Sequence, residues 1–110
     1  MTDFELLDDD GYPTEYALDT LFNWTGEVGE AIDFMRRLWK YAEWGITENV
    51  PPSEMEAFDL SSGRRYVKLA TGGWSGNELV MDAVLSNARL ALWCAAAQPG
   101  GLFIMEYPPK

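Results

Sequence analysis

The segment from Tyr66 to Arg89 reads YVKLATGGWSGNELVMDAVLSNAR. Its first residues alternate in polarity, with Val67 and Leu69 on one side, and this period of two predicts a half-buried strand. The sequence Thr71-Gly72-Gly73 ends that strand, because glycine reaches backbone angles that strand residues avoid. We therefore expect a strand and a tight turn here, and the rest of the fold is predicted outward from them.

A helix is predicted directly after this turn. Ser75 and Glu78 have the spacing of a capping box, in which each side chain binds an unpaired amide of the first helical turn. Asn87 is expected to end the helix. The apolar residues between them share one face of a 3.6-residue period, and they are Leu79, Val80, Ala83 and Val84.

Two further helices are predicted in the N-terminal third. The first follows an N-cap at Thr14 and ends near Trp24, and its apolar face comprises Leu18, Leu21 and Phe22. The second runs from about Glu27 to Tyr41, and its apolar face comprises Ala31, Ile32, Phe34, Met35, Leu38 and Trp39. The Thr25-Gly26 connection is short, so the two helices are expected to form an antiparallel hairpin.

The middle of the chain predicts short strands and loops. Residues 44–48 are expected to form a short strand. Residues 50–53 contain two prolines and are expected to form a loop. Residues 56–60 and 65–70 are predicted to pair as a hairpin around the turn 61–64.

The C-terminal third contains one ambiguous segment, residues 90–97. Its alanines favour a helix, whereas the Gln98-Pro99-Gly100-Gly101 turn and the apolar run 102–105 behind it favour a terminal hairpin. We predict the hairpin.

These segments together predict one α+β domain over residues 1–110. The expected order is α-α-β-β-α-β-β: a helical hairpin, an antiparallel sheet with its helices on one face, and one further helix. Residues 1–11 form an acidic lead-in and residues 108–110 a tail. No internal repeat and no low-complexity tract is evident.

The overall composition is that of a folded chain. Of the 110 residues, 47% are hydrophobic, and Trp, Tyr and Phe each occur five times. No apolar run approaches the ~20 residues needed to span a bilayer, and no basic-then-apolar signal pattern opens the chain. Cys94 is the single cysteine and has no internal disulfide partner. The expected location is therefore the cytoplasm, or the host cytoplasm if the gene is carried by a phage.

The negative charge is concentrated at one end of the chain. The net charge is −10; residues 1–35 hold ten carboxylates and no Lys or Arg, whereas residues 36–110 hold eight acids and eight bases. Such an end repels nucleic acid and anionic membranes and attracts basic protein surfaces. The alternative is a solvated surface that serves solubility and helix ends. The candidate acidic binding residues are Asp8, Asp9, Asp10, Glu15, Asp19, Glu27 and Glu30.

Several motifs together resemble a known group of proteins. The motif ATGGWSGNE at 70–78 is followed by Leu92-Trp93-Cys94, by Gly100-Gly101 and by an aromatic-aliphatic strand, and it is preceded by Tyr12-Pro13-Thr14-Glu15. This combination resembles small uncharacterised proteins encoded by bacteriophages and bacterial genomes, over Tyr12 to Tyr107. The resemblance implies one α+β domain and a phage or prophage setting, and it brings no activity. Relatives carry basic residues before the last Gly-Gly, where this chain has Gln98-Pro99, which argues against anion binding by that loop.

The residue inventory excludes several common chemistries. The chain has no histidine and one cysteine, so histidine-based triads, histidine metal sites and metal sites built from four cysteines are impossible within one chain. The sequence Gly73-Trp74-Ser75-Gly76-Asn77 departs from a nucleophile elbow at its last position, and no lysine follows the glycines as a P-loop requires. We predict no catalytic residue, no metal site and no cofactor. The run 8–10 as a cation site and Glu78 with Asp82 as an acid–base pair are weaker alternatives, because solvated carboxylates explain both.

The glycine-rich loop is the second candidate site, comprising Thr71, Gly72, Gly73, Trp74, Ser75, Gly76 and Asn77. Its glycines allow close approach of another molecule, the helix amides could hold an anion, and Trp74 could anchor a partner. Turn geometry alone also explains the glycines. The predicted function is a non-enzymatic accessory factor that binds a protein with a basic surface, such as a host factor that binds nucleic acid. The alternatives are an anionic-ligand-binding domain or enzyme that uses this loop, and a structural or assembly subunit.

Overall fold

The chain folds into helical segments that pack on one antiparallel sheet. The computed structural model describes residues 3–48, 50, 52–57, 60, 65–98 and 100–107. The elements in chain order are α1 (Asp3–Leu6), α2 (Glu15–Phe22), α3 (Val28–Leu38), α4 (Ala42–Gly45), β1 (Ile46–Thr47), α5 (Pro52–Ala57), β2 (Arg65–Ala70), α6 (Ser75–Leu85), α7 (Ala88–Ala91), β3 (Cys94–Gln98) and β4 (Leu102–Tyr107). The predicted α+β class and the predicted order of the main elements are confirmed.

The sheet has the strand order β1-β2-β4-β3, and each neighbouring pair is antiparallel. Strand β2 pairs with β4 along its whole length, from Arg65 opposite Tyr107 to Ala70 opposite Leu102. Strand β3 pairs with β4 as the C-terminal hairpin, and a bulge interrupts its register between Cys94 and Ala96. The helices α6 and α7 therefore carry the chain out of the sheet after β2 and back to it at β3.

The core lies between the sheet and the helices. The predicted buried face of β2 is confirmed, because Val67 and Leu69 are fully buried and belong to the same hydrophobic cluster as the helices. Tyr66 on the opposite face is also buried, at 6% exposure, so the predicted half-buried alternation is wrong at that position. Met105 lies opposite Val67 on β4 and extends the cluster across the strands. The buried helical residues are Ala17 and Leu21 of α2, Val28, Ala31, Ile32, Phe34, Met35 and Leu38 of α3, and Val80, Met81 and Val84 of α6.

The N-terminal segment is attached to the core by its own short helix. Leu6 at the end of α1 is fully buried, and Leu7 forms an isolated antiparallel bridge with Pro13. Thr14 is the predicted N-cap of α2: its hydroxyl accepts the Ala17 N–H at 3.2 Å and donates to the carbonyl of Glu5 at 2.7 Å. The lead-in is thereby held against the start of α2.

The two N-terminal helices differ from the prediction in detail. The predicted apolar face of α3 is confirmed as buried, and Trp39, just beyond the end of the helix, is buried as well. On α2, Ala17 is buried, whereas Phe22 is 51% exposed, so the assignment of Phe22 to the apolar face is wrong. The closest helical partner of α2 is α6 rather than α3.

The middle of the chain contains two corrections. Pro52 and Ser53 begin helix α5 rather than lying in a loop, because proline is well suited to the first helical position. Glu56 belongs to the same helix, so the predicted strand 56–60 is wrong in its first part, and β2 pairs instead with β1 and β4. The predicted turn 61–64 lies outside the described residues. The predicted strand at 44–48 is confirmed only at Ile46–Thr47, since Trp44 belongs to α4.

The terminal hairpin is confirmed over β3 and β4. The first part of the ambiguous segment, Leu90 and Ala91, is helical in α7 instead. Gly100 and Gly101 adopt φ values of 98° and 86° in the connecting turn, a region that other residues rarely occupy. The predicted tail 108–110 lies outside the described residues. Of the helices that the structure describes, none has both the length and the apolarity of a membrane span.

Asn87 connects the ends of two helices. Its side chain is buried, and its Nδ2 donates to the carbonyls of Leu21 at 2.9 Å and Trp24 at 3.0 Å, in the last turn of α2 and just beyond it. Its Oδ1 accepts the Arg89 N–H at 2.9 Å and caps α7. The predicted helix stop is confirmed, since α6 ends at Leu85, and Asn87 also binds the end of α2.

We predict that Asn87→Ala lowers the free energy of unfolding by about 2 kcal/mol, because it removes the cap of α7 and the side-chain donor to the Leu21 and Trp24 carbonyls, of which the Leu21 carbonyl keeps the Trp24 N–H as a partner. The corresponding fall in Tm is roughly 10 °C. Thermal unfolding followed by circular dichroism measures this change. Asn23→Ala is the matched control, because Asn23 is exposed and bonds only within α2. Equal losses for the two variants would contradict the role assigned to Asn87.

Candidate functional site

The glycine-rich loop, residues 71–77, joins β2 to α6. Gly72 and Gly73 adopt φ values of 64° and 77° and are both exposed. These left-handed angles are what the sharp strand-to-helix turn requires, so the predicted turn is confirmed.

The predicted capping box at the start of α6 is wrong. Ser75 is the first residue of the helix, Trp74 occupies the N-cap position, and Trp74 makes no side-chain cap. The Ser75 hydroxyl lies 3.1 Å from the Tyr12 hydroxyl instead. Ser75 therefore lies one residue too far into α6 to act as its N-cap. Its hydroxyl contacts the segment before α2 instead.

Asn77 holds the loop to the end of α3. Its side chain is buried; Oδ1 accepts the Lys40 N–H at 2.8 Å, and Nδ2 donates to the Lys40 carbonyl at 3.2 Å and the Thr71 carbonyl at 3.2 Å. One amide side chain thus satisfies three backbone groups on two segments. Trp39 makes a parallel connection, since its Nε1 donates to the Ala70 carbonyl at 3.1 Å.

Trp74 lies between a tyrosine and a lysine. Its ring centroid is 4.8 Å from that of Tyr12, and the Lys40 Nζ lies 3.7 Å from the Trp74 ring, within the range of a cation–π contact. A Cβ on Gly76 would come within 2.6 Å of the Trp74 Nε1, so only glycine lets the indole lie this close to α6. The indole is half-buried, and its role here is to join three segments.

Two exposed aromatic residues border the loop. Trp44 is 67% exposed, and a Cβ on Gly72 would lie 3.1 Å from its ring, so the ring faces the glycine turn. Tyr41 is 68% exposed and, at φ 61°, is the only non-glycine residue with positive φ in the described part of the chain. The sequence analysis did not assign either residue to the site. No local pattern marks them, because their position depends on how α3 and α4 pack against β2.

The polar side chains of the loop are either bonded within the fold, as for Ser75 and Asn77, or buried without a partner among the described residues, as for the Thr71 hydroxyl and the Trp74 Nε1. Thr71 and Asn77 are buried, and Ser75 contacts Tyr12. The parts that face solvent are the two glycines of the turn, the Trp44 ring and the Lys40 amine. The loop therefore offers a flat aromatic contact surface with one cation beside it.

The acidic candidate residues are all exposed. Every carboxylate of residues 1–35 whose side chain the structure describes faces solvent, nine in number: Glu5, Asp8, Asp9, Asp10, Glu15, Asp19, Glu27, Glu30 and Asp33. Asp33 lies 3.8 Å from the Arg36 Nε, an exposed pair of small energetic value. Asp8 accepts the backbone N–H groups of Asp10 and Tyr12 at 2.9 and 3.0 Å. The seven candidate residues form no ion pair with a base in the described ranges.

The basic residues are partly engaged elsewhere. Glu48 lies 3.8 Å from Arg36 and 3.9 Å from Arg65, so one carboxylate of the later region is shared by two guanidinium groups. The described arginines therefore pair with Glu48 near the sheet, and none of the seven candidate carboxylates has a basic partner among the described residues.

Helix α6 carries a second exposed acidic face. Its residues Glu78 and Asp82 are exposed, and Leu79, which was expected in the core, is 41% exposed, so that prediction is wrong. Met81 is buried in its place, because the buried face of α6 is centred on Asn77, Val80 and Val84. Leu85, at 36%, is exposed as well.

Cys94 is a half-buried residue of β3. Burial raises the pKa of its thiol above the ordinary value, which lowers the thiolate fraction at neutral pH.

The chain matches no protein-family model, no curated protein and no solved structure.

We predict that Asn77→Ala lowers the free energy of unfolding by about 2 kcal/mol, because the part-buried N–H and carbonyl of Lys40 lose their side-chain partner, whereas the Thr71 carbonyl keeps the Trp74 N–H. Chemical denaturation of the purified protein gives the value. Ser75→Ala is the control; it removes only an exposed hydroxyl contact and should cost less than about 1 kcal/mol. If Ser75→Ala lowered the free energy of unfolding as much as Asn77→Ala does, the result would support a capping role for Ser75 and contradict this account.

We predict that Thr71→Val leaves stability unchanged or raises it by about 1 kcal/mol. The Thr71 hydroxyl is buried and has no hydrogen-bond partner among the residues that the structure describes, so a methyl group of similar size avoids a desolvation cost. The same substitution at Thr14 should cost about 1 kcal/mol, since it deletes a helix cap. The melting curve of the Thr14 variant is expected to shift down, whereas that of Thr71→Val stays in place or shifts up, and a large fall in Tm for Thr71→Val would contradict this account.

Proposed function

We propose that this protein is a non-enzymatic accessory factor that binds another protein with a basic surface. The contact is made by the acidic N-terminal surface, which we define as Asp8, Asp9, Asp10, Glu15, Asp19, Glu27 and Glu30. The observation that carries the proposal is the exposure of all seven carboxylates without a described basic neighbour.

The physical basis is the electric field of an uncompensated surface. The summed potential of exposed carboxylates without basic neighbours increases the encounter rate with a basic partner. The same sign of charge disfavours nucleic acid and anionic lipid. A host protein that itself binds nucleic acid has the required basic surface, and it is the partner class we favour.

The setting belongs to the same proposal. A phage or prophage origin is supported by the motif resemblance over residues 70–78, and a place in the cytoplasm by the single cysteine. The two alternatives, an anionic-ligand site or enzyme at the glycine-rich loop and a structural subunit, have less support. The loop residues Thr71, Ser75 and Asn77 are engaged within the fold or buried.

We expect the immobilised full chain to retain a bacterial protein of high isoelectric point at low salt and to release it as salt rises, because screening shortens the reach of exposed charges. The variant Glu15→Gln/Asp19→Asn/Glu27→Gln/Glu30→Gln should retain several-fold less of it. Glu43→Gln/Glu56→Gln is the control, since both carboxylates are exposed and lie outside the acidic N-terminal surface. Binding that is indifferent to salt, or reduced as much by the control, would refute the proposal.

A further inference from the structure

Two helices of this protein carry the same pattern of eight residues. Residues 15–22 read EYALDTLF and residues 78–85 read ELVMDAVL. Both octets place carboxylates at positions 1 and 5 and large apolar or aromatic residues at positions 2 and 8. Both also have the same burial: positions 3 and 7 are buried, and positions 1, 2, 5 and 8 are exposed.

The two octets lie side by side and parallel. Helices α2 and α6 pack against each other. At their starts the Tyr12 and Ser75 hydroxyls are 3.1 Å apart, and at their ends Asn87 donates to the Trp24 carbonyl at 3.0 Å. Both contacts join residues 63 positions apart, which is also the offset between the octets. Asn87 also donates to the Leu21 carbonyl at 2.9 Å, an offset of 66. The two helices therefore run parallel, with their starts and their ends side by side.

The exposed residues of the two octets together define what we call the α2–α6 surface. It comprises Glu15, Tyr16, Asp19 and Phe22 and the equivalent residues 78, 79, 82 and 85. Positions 1 and 5 of a helix are roughly 6 Å apart and packed helices lie roughly 8–10 Å apart, so the four carboxylates form two short parallel rows. Tyr16 and Phe22 are each 51% exposed, and neither octet contains a Lys or Arg.

We propose that the α2–α6 surface binds an amphipathic basic helix of the protein partner. This inference rests on the proposed function and names the site and the form of the ligand. Two bases one turn apart on such a helix match the spacing of the carboxylate rows, and its apolar residues cover the exposed rings and leucines. An arginine of the ligand can also stack on the ring of Tyr16 or Phe22.

Charge and shape both favour this occupant. A second copy of the chain would present the same four carboxylates and would be repelled, as would nucleic acid. A basic segment without apolar residues would leave the four exposed apolar side chains uncovered. An amphipathic basic helix satisfies both components at once, whereas Leu79 and Leu85 have no role in a surface that serves solubility alone.

The test uses the full-length protein and a synthetic peptide of about 16 residues with lysines at i, i+4 spacing on one face and leucines beside them, long enough for roughly four helical turns. A scrambled peptide of the same composition is the comparison. Fluorescence anisotropy of a labelled peptide gives Kd. We expect the amphipathic peptide to bind about tenfold more tightly than the scrambled one, and to become helical by circular dichroism on binding.

Variants assign the site. Glu78→Gln/Asp82→Asn and, separately, Leu79→Ser should each weaken the amphipathic peptide by about fivefold, in line with a few partly exposed contacts. Glu43→Gln/Glu56→Gln changes the net charge equally and should leave Kd within about twofold. All of these positions are exposed, so the variants are expected to fold. Melting curves that match the unmodified protein would confirm this.

Several outcomes overturn the inference. Equal binding of the scrambled peptide, equal weakening by Glu43→Gln/Glu56→Gln, or a dimer that these α6 variants dissociate would each do so. If the captured bacterial protein is lost with the N-terminal variant but retained by Glu78→Gln/Asp82→Asn, the acidic N-terminal surface stands and the α2–α6 surface fails. If both variants lose it, binding at the α2–α6 surface is supported, because Glu15 and Asp19 belong to both surfaces and account for the loss in the N-terminal variant.

Discussion

The side-chain amide of Asn77 is the contact on which the arrangement of this domain depends. It bonds to both backbone groups of Lys40 and to the carbonyl of Thr71, so it ties the end of α3 to the loop that follows β2. Without it, the N–H and the carbonyl of Lys40 would need other partners, and the Thr71 carbonyl would keep only the Trp74 N–H. Trp39 bonds to Ala70 beside it, and Trp74 packs over Lys40. The helical layer is therefore joined to the sheet by polar bonds at one corner as well as by the apolar core.

The parts of the fold that sequence predicted correctly are those with strong local signals. The alternation at Val67 and Leu69 identifies a strand, two glycines identify the turn, and the stripe on α3 identifies a buried helix face. The failures occur where a local pattern has two interpretations. Pro52 is compatible with a loop and with a helix start, and Ser75 resembles an N-cap although the N-cap position lies one residue earlier. For Ser75, the contact with Tyr12 in the folded protein shows what the hydroxyl does, and no local sequence pattern indicates it.

The candidate surfaces were predictable to a smaller extent. The uneven charge of residues 1–35 correctly indicated exposed carboxylates, because acids without basic neighbours are rarely buried. The outward position of Phe22 and Leu79 was not predictable, since both fit an apolar helix face and the choice depends on how α2 and α6 pack together. The match between the two octets is too short to be noticed as a repeat. It acquires meaning only because the helices are parallel and side by side.

The terminal strand β3 has a consequence for the behaviour of the protein in concentrated solution. Among the described strands it pairs only with β4, and its exposed side chains are small and uncharged, so its outer edge is open to pairing with another chain. The bulge between Cys94 and Ala96 shortens the regular stretch of that edge. The net charge of −10 adds mutual repulsion between molecules before such edges can meet. Acidity would then protect colloidal stability, and the protein should be most prone to precipitate near its isoelectric pH, where that repulsion disappears.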